Sequence, residues 1–197
     1  MASQPKRLIL FASGSGTNVQ NICEYFQQDD RIQIVLVAGN KEEAYVWERI
    51  KPFKIEAYCF TKTDLQEGQV LQKVKKYQPD LIVLAGFLLK IPEAMVAAFP
   101  DKIINIHPAL LPKYGGKGMY GLQVHKAVKQ NKETESGISI HYVNSHYDEG
   151  QLLFQARVTL TLEDTPQTIA QKVQALEYKH FPKIIEQLLF DSQQDEE

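Results

Sequence analysis

The sequence predicts an α/β protein whose mostly parallel sheet is covered by helices on both faces. Short apolar runs alternate with segments of helical periodicity along residues 7–106, which is the pattern of parallel strands buried on both sides. After residue 136 the pattern changes to two strands of alternating apolar and polar residues, which is typical of an antiparallel hairpin. Helical spacing from Thr165 to Leu189 then predicts a long final helix.

The first 106 residues are predicted to repeat a unit of one strand and one helix. Glycines and serines at 13–16 end the first apolar run, and Pro79-Asp80 leads into the fourth, as expected for turns between such units. Between the runs, apolar residues recur at helical spacing, as at Val70 and Val74. Strands are therefore predicted at residues 7–12, 32–38, 56–60, 81–85 and 102–106, and helices at 17–28, 43–51, 65–77 and 92–99.

Residues 108–135 interrupt this alternation with four glycines, and they contain a single helical pattern at 122–130. A long glycine-rich excursion in a compact domain is usually functional or mobile. The hairpin strands are predicted to follow at 137–143 and 151–160. Because open α/β sheets bind ligands beyond the carboxyl ends of their strands, the segments after Ala12, Ala85 and Ile106 are expected to converge on one cleft.

Composition and charge are those of an ordinary globular protein. Of the 197 residues, 44% are hydrophobic, and 22 basic against 24 acidic residues give a formal charge of −2. We expect a single domain over residues 1–190, followed by an acidic tail at 191–197. The absence of a basic face argues against nucleic-acid binding, and the apolar run at 8–12 is too short for a signal peptide or a membrane span. The expectation is a cytoplasmic protein, with a monomer and a homodimer both left open.

The turn after the first strand, residues 13–18, lies at the start of a predicted helix. Its glycines let the backbone approach a ligand, and free amides at a helix start favour an anion. Val19 replaces the third glycine of a dinucleotide-binding fingerprint, and no Gly-Lys-Ser/Thr sequence follows as in a P-loop. Two interpretations remain open here: a site for a monophosphate or another small anion, or a tight turn capped by Thr17 or Asn18.

Polar side chains follow the fifth predicted strand. Asn105 and His107 are two residues apart, so both point to the same side of the sheet. An amide donor and an imidazole suit stabilisation of an oxyanion and delivery of a proton. Asp148, in the hairpin loop, would raise the pKa of His107 if the hairpin packs beside the fifth strand. The alternative is structural: a satisfied strand-end histidine, and an ordinary turn from Asp148 to Gly150.

Two functions of other classes are weighed against this one. A metal site of His107, His146 and Asp148 would support hydrolysis, but no pair of ligands is spaced along one helix, so no metal is predicted. A non-catalytic module that binds an anion is the second alternative. The other histidines are interpreted as surface or packing residues: His125, His141 and His180.

Four segments together resemble a known family. They are residues 14–18, 84–87, 105–112 and 137–150, in unbroken order between Leu8 and Phe181. The combination resembles the folate-dependent formyltransferases, and most closely the phosphoribosylglycinamide formyltransferase family. The resemblance implies a Rossmann-like formyltransferase fold with three α/β/α layers. It also implies transfer of the formyl group of 10-formyltetrahydrofolate to the amine of glycinamide ribonucleotide, without a covalent enzyme intermediate.

The resemblance further implies roles for individual residues. Asn105 would hold the developing oxyanion, His107 would donate a proton, and Asp148 would raise the pKa of the histidine and relay the proton. The substrate's phosphate would bind at the glycine turn, and its ribose hydroxyls would bind Glu177. The residues implied for the phosphate are Gly16, Thr17 and Asn18.

The implied folate site lies after the fourth strand. No arginine follows the third strand, where the family commonly has one, so Lys62 is expected to substitute for it. Within the family, a formyltransferase acting on a nucleotide-linked sugar amine is the alternative. Methionyl-tRNA formyltransferase and formyltetrahydrofolate hydrolase carry a further domain, which is not expected here. The remaining residues implied for folate are Leu88, Leu89, Lys90, Ile91 and Asn105.

Overall fold

Seven strands form one sheet in this computed structural model, which describes residues 4–190. They are β1 (Lys6–Ala12), β2 (Ile32–Gly39), β3 (Ala57–Cys59), β4 (Leu81–Leu84), β5 (Ile103–His107), β6 (Glu135–Tyr142) and β7 (Leu152–Thr159). The strand order is β3-β2-β1-β4-β5-β6-β7. Pairing is parallel from β3 through to β5 and antiparallel at β5–β6 and β6–β7.

Within residues 4–190, seven α-helices connect or follow these strands. They are α1 (Thr17–Phe26), α2 (Val46–Ile50), α3 (Lys62–Gln66), α4 (Gln69–Tyr77), α5 (Glu93–Ala98), α6 (Leu122–Gln130) and α7 (Pro166–Phe190). The predicted fold class is confirmed, with a mostly parallel sheet, a C-terminal antiparallel hairpin and a long last helix. None of the helices in the described range is long and apolar enough to cross a membrane. The predicted acidic tail at 191–197 lies outside the described residues.

Two predicted helices differ from the structure. The helix expected at 65–77 is divided into α3 and α4, because Gly68 between them has a φ of 86°, a left-handed conformation that glycine adopts without steric cost. The helix expected at 43–51 is reduced to α2 and a 3₁₀ turn at Lys51–Phe53. Pro52 lies in that turn and has no N–H for a continuing α-helical hydrogen bond.

The sheet separates two apolar layers, which follow the alternation of side chains along β1. Leu8 and Leu10 face the layer formed by α1, α2, α6 and α7, whereas Ile9 and Phe11 face the layer formed by α3, α4 and α5. All four side chains are completely buried. The continuous apolar run of β1 is therefore explained by burial on both faces, as expected for a central parallel strand.

The hairpin of β6 and β7 packs beside the fifth strand. This packing is the condition under which Asp148 is expected to act on His107. Antiparallel pairing sets Asn105 opposite His141 and His107 opposite Ser139. The Ser139 hydroxyl donates to the Ala109 carbonyl at 2.7 Å. It also accepts from the Leu111 amide at 2.9 Å, so β6 holds the chain where it leaves β5.

Truncating the aromatic side chain that anchors α7 tests the core. Phe181 is completely buried, so Phe181→Ala is expected to lower the free energy of unfolding by about 3–5 kcal/mol. Leu162→Ala is the control, because Leu162 is 91% exposed and its truncation is expected to change stability by less than about 0.5 kcal/mol. Urea unfolding followed by circular dichroism measures both, and equal effects would contradict this account of the core.

Candidate active site

One cavity of about 540 Å³ lies beyond the carboxyl ends of β1, β4 and β5. The turn after β1, the segment after β4 and the end of β5 line it. The glycine-rich loop at 116–121, the hairpin loop and α7 complete the lining. The segments expected to converge therefore do so, at the edge where open α/β sheets bind ligands.

The glycine turn after β1 forms one end of this cavity. Ser15 and Asn18 line the cavity, and Gly16 and Thr17 lie between them in the same turn. Gly16 has a φ of 72°, and a Cβ atom at this position would lie 2.5 Å from the Val46 side chain. Only glycine therefore permits this turn against α2. The amides at the start of α1 have no acceptor within the helix and suit a bound anion.

Asn18 and Glu177 join the glycine turn to α7. The Asn18 Nδ2 atom donates to a Glu177 carboxylate oxygen at 3.0 Å, and both residues line the cavity. Burial raises the pKa of Glu177 to about 6, and the hydrogen bond from Asn18 only partly offsets this effect. Asn18 and Glu177, predicted for the phosphate and the ribose, are thus brought together in this cavity.

Asn105 and His107 point from β5 into the same cavity, as their alternation predicts. His107 is 4% exposed, and its Nε2 atom lies 2.7 Å from the Tyr114 carbonyl oxygen. Since a carbonyl oxygen can only accept, Nε2 carries the hydrogen. The other ring nitrogen, Nδ1, lies 3.5 Å from the Asp148 carboxylate.

Asp148 lies at the centre of the polar cluster. Its φ of 55° is in the left-handed region, which aspartate adopts more readily than most residues. One carboxylate oxygen accepts from the Gly116 amide at 2.9 Å, and the other accepts from Asn105 Nδ2 at 3.3 Å. Nearby, a Cβ at Gly150 would lie 1.7 Å from the Tyr142 carbonyl oxygen, so glycine is required where the hairpin loop returns to β7.

His141 completes the cluster from β6. Its Nδ1 atom donates to the Tyr142 carbonyl at 2.8 Å, so in the neutral ring Nε2 is an acceptor. The Asn105 Nδ2 atom lies 3.1 Å from that Nε2. The two amide hydrogens of Asn105 are therefore directed to His141 and Asp148, and this pair of contacts sets the orientation of the amide.

Burial and charge act in opposite directions on the His107 and Asp148 pair. Burial lowers the pKa of His107, and the negative charge of Asp148 raises it without restoring the ordinary value. Burial raises the pKa of Asp148, but the nearby histidines and the Gly116 amide together lower it by more, so this pKa lies below its ordinary value. Asp148 thus acts on His107 in the expected direction, while the pKa of His107 lies below its usual value, because desolvation of the imidazolium is larger.

A second, smaller groove adjoins the main cavity, and Asn105 and Asp148 line both. Leu89, Lys90 and Ile91, which follow β4, also line the smaller groove. Leu88 lines the main cavity instead, and its amide donates to the Ser13 hydroxyl at 2.9 Å. Four of the residues implied for folate therefore lie along one continuous segment beside the polar cluster.

Lys62 is not brought to this site. It is the first residue of α3, and it is absent from the described lining of both cavities. His146 is exposed on the hairpin loop and lines the smaller groove. Within residues 4–190, no group of three or more histidine, cysteine, aspartate or glutamate side chains is arranged to hold a metal ion.

A family model described as formyl transferase matches residues 6–185. The chain belongs to the formyl transferase family. It is 37% identical over 187 residues to the chloroplastic phosphoribosylglycinamide formyltransferase of Arabidopsis thaliana, covering 91% of this chain and 64% of that protein. It is 32% identical over 190 residues to the phosphoribosylglycinamide formyltransferase of Bacillus subtilis, covering 93% of this chain and 95% of that protein.

A solved structure is similar over nearly the whole chain. The crystal structure of phosphoribosylglycinamide formyltransferase from Anaplasma phagocytophilum superposes with a TM-score of 0.86 at 28% identity, covering 95% of this chain and 88% of that one. The chain thus spans most of the bacterial proteins, but less than two thirds of the Arabidopsis relative. The family's fold is the one described above.

Two histidines that the sequence indicated as surface or packing residues are buried at the candidate site. His141 is not simply a packing residue, because it contacts Asn105 and approaches Asp148 to 3.6 Å. His125 is buried and lines the main cavity. The cross-strand register identifies His141, and this register is not visible in the sequence. His125 lies beside the apolar positions Val124 and Val128 of α6, and this pattern could have indicated its burial.

Removing the charge of Asp148 tests the electrostatic account of the cluster. Because the Asp148 carboxylate raises the pKa of His107, Asp148→Asn is expected to lower that pKa further. Titration of the imidazole by proton and nitrogen NMR measures the change. Asp30→Asn removes the same charge from an exposed position after α1 and is expected to leave His107 unchanged. A rise in the pKa of His107 in Asp148→Asn would contradict the account.

Proposed function

We propose that this protein transfers the formyl group of 10-formyltetrahydrofolate to the amine of glycinamide ribonucleotide. The products are formylglycinamide ribonucleotide and tetrahydrofolate, as in purine synthesis. Membership of the formyl transferase family supports a folate-type formyl donor. The names of the relatives support the acceptor, because the similar proteins of Arabidopsis and Bacillus are phosphoribosylglycinamide formyltransferases.

The observation that carries the proposal is the meeting of two cavities at one polar cluster. The main cavity is lined by residues of the glycine turn and by Asn105 and Asp148, and the same two residues also line the smaller groove. A reaction between two bound substrates requires their reacting atoms to be held about 3–3.5 Å apart. Two sites that share Asn105 and Asp148 fit this requirement.

Glycinamide ribonucleotide fits the chemistry of the main cavity. Its phosphate is matched by the amides of the glycine turn, which include those of Thr17 and Asn18. Its ribose hydroxyls are matched by the Glu177 carboxylate, which Asn18 orients from the same turn. The glycinamide arm then extends along the cavity toward Asn105 and His107, which also line it.

The lining of the smaller groove matches the chemistry of the folate pterin. A flat pterin requires apolar walls and a few backbone hydrogen bonds, and this groove offers apolar side chains at Leu89 and Ile91 together with the backbone of the same segment. The groove opens at Asn105 and Asp148, so a formyl group carried by the folate would reach the polar cluster.

Asn105 would stabilise the oxyanion that develops when the amine attacks the formyl carbon. In the structure its amide hydrogens are directed to His141 at 3.1 Å and to Asp148 at 3.3 Å. The formyl oxygen would take the hydrogen of the longer contact. Asp148 then loses a donor and becomes a stronger base, which suits it to receive the proton that the amine loses on forming the new C–N bond.

His107 would deliver the proton to the folate nitrogen that leaves. Asp148 lies 3.5 Å from Nδ1 of His107, so a proton received by Asp148 passes to that nitrogen and produces an imidazolium. Its Nε2 hydrogen, which the Tyr114 carbonyl accepts at 2.7 Å, is then donated to the leaving nitrogen as the old C–N bond breaks. One proton is thus transferred from the acceptor amine to the folate nitrogen through Asp148 and His107.

Turnover of 10-formyltetrahydrofolate with and without glycinamide ribonucleotide tests the function and the site together. Release of tetrahydrofolate is expected only with the amine present. Asn105→Ala and His107→Ala are each expected to lower kcat by about 10²-fold or more, as loss of an oxyanion donor or a proton donor does. The control is His180→Ala, since the His180 ring packs on Phe154 with a centroid distance of 5.0 Å.

The other outcomes of this assay are informative. Equal folate turnover without the amine would make the protein a hydrolase and overturn the proposal. Folate binding without turnover of glycinamide ribonucleotide would do the same, and would direct the search to nucleotide-linked sugar amines. Full activity in both alanine variants would remove the roles assigned to Asn105 and His107.

Neutralising the carboxylate on α7 tests the ribose contact. Glu177→Gln is expected to raise the dissociation constant of glycinamide ribonucleotide about tenfold, because hydrogen bonds to a charged acceptor are worth about 1.5–3 kcal/mol. Isothermal titration calorimetry measures this, with Glu186→Gln as the control on the same helix, where the side chain contacts Arg31 and Tyr25 instead. Unchanged affinity in Glu177→Gln would refute the ribose contact.

A further inference from the structure

His125 is a buried polar residue that the proposed mechanism does not use. It lies in the first turn of α6, on the buried face of the helix that also carries Val124 and Val128. The residue is 5% exposed, and its side chain lines the main cavity together with His107 and Glu177. It therefore shares one cavity with the glycine turn and the polar cluster.

The Nδ1 atom of His125 has no hydrogen-bond partner within the described part of the chain. Most buried polar groups in native proteins are paired, and one left unpaired costs about 1–3 kcal/mol. Within residues 4–190, Asn18 Oδ1 is in the same situation, and Asn18 also lines this cavity. Both residues line one cavity, and a small rotation of each side chain would bring its unpaired atom to a ligand that supplies the missing partner.

We propose that His125 hydrogen-bonds to the glycinamide arm of the acceptor substrate. It is thus a further substrate-binding residue, and this inference rests on the function proposed above. The contact would hold the arm in the part of the cavity between the ribose site at Glu177 and the reacting end at His107. It would direct the terminal amine toward the formyl carbon rather than add a group to the chemistry.

The charge state of His125 favours an amide as its partner over the phosphate. Burial lowers the pKa of His125 to about 4, and the positive charge that His107 can carry lowers it as well. At neutral pH the ring is therefore uncharged and offers one donor and one acceptor. An amide group, with one N–H and one C=O, matches this pair, whereas a phosphate would use only the donor.

Comparing two ligands tests the contact, because ribose 5-phosphate lacks the glycinamide arm. His125→Leu is expected to raise the dissociation constant of glycinamide ribonucleotide about tenfold, equivalent to about 1.4 kcal/mol and within the range for one hydrogen bond. The dissociation constants of ribose 5-phosphate and of the folate are expected to stay unchanged. His125→Gln, which keeps a donor and an acceptor, is expected to retain most of the affinity, and His180→Leu is the control.

The outcomes separate this inference from the function on which it rests. Absence of wild-type turnover with glycinamide ribonucleotide would count against the function. Normal turnover together with unchanged binding in His125→Leu would overturn the inference alone, as would equal weakening of ribose 5-phosphate. Thermal unfolding checks that each variant is folded, and His125→Phe makes the same comparison if His125→Leu does not fold.

Discussion

The antiparallel pairing of β6 with β5 determines where the polar groups of the candidate site lie. It sets His141 opposite Asn105, and the loop after β6 returns so that Asp148 lies between His107 and His141. A slip of one residue would move these side chains to the other face of the sheet. The glycine at 150 protects this arrangement, because it alone allows the loop to pass so close to the backbone of β6.

At His107 and Asp148, burial and the nearby charges shift each pKa in opposite directions. Asp148 keeps a pKa below its ordinary value because donors surround it, although burial opposes its charge. His107 has a depressed pKa because burial outweighs the nearby carboxylate. An ionised carboxylate beside a neutral histidine that already carries its Nε2 hydrogen is a pair able to receive a proton at one end and release one at the other.

The loop from Tyr114 to Gly121 controls this pair through its backbone rather than through side chains. The Tyr114 carbonyl accepts from His107, and the Gly116 amide donates to Asp148. The same loop forms one wall of the main cavity and leads directly into α6 and His125. The position of this loop and the hydrogen bonding of the cluster are therefore linked by direct contacts.

The sequence by itself determined the fold class and the candidates Asn105, His107 and Asp148, because apolar periodicity, strand alternation and residue chemistry are local properties. It also indicated a candidate anion site at the glycine turn, and the family resemblance added Glu177. Only the tertiary structure decided the break at Gly68, the contact of His141 with Asn105 and the place of His125 in the lining of the cavity. Those features depend on φ angles, on strand register and on desolvation, which arise from residues far apart in the chain.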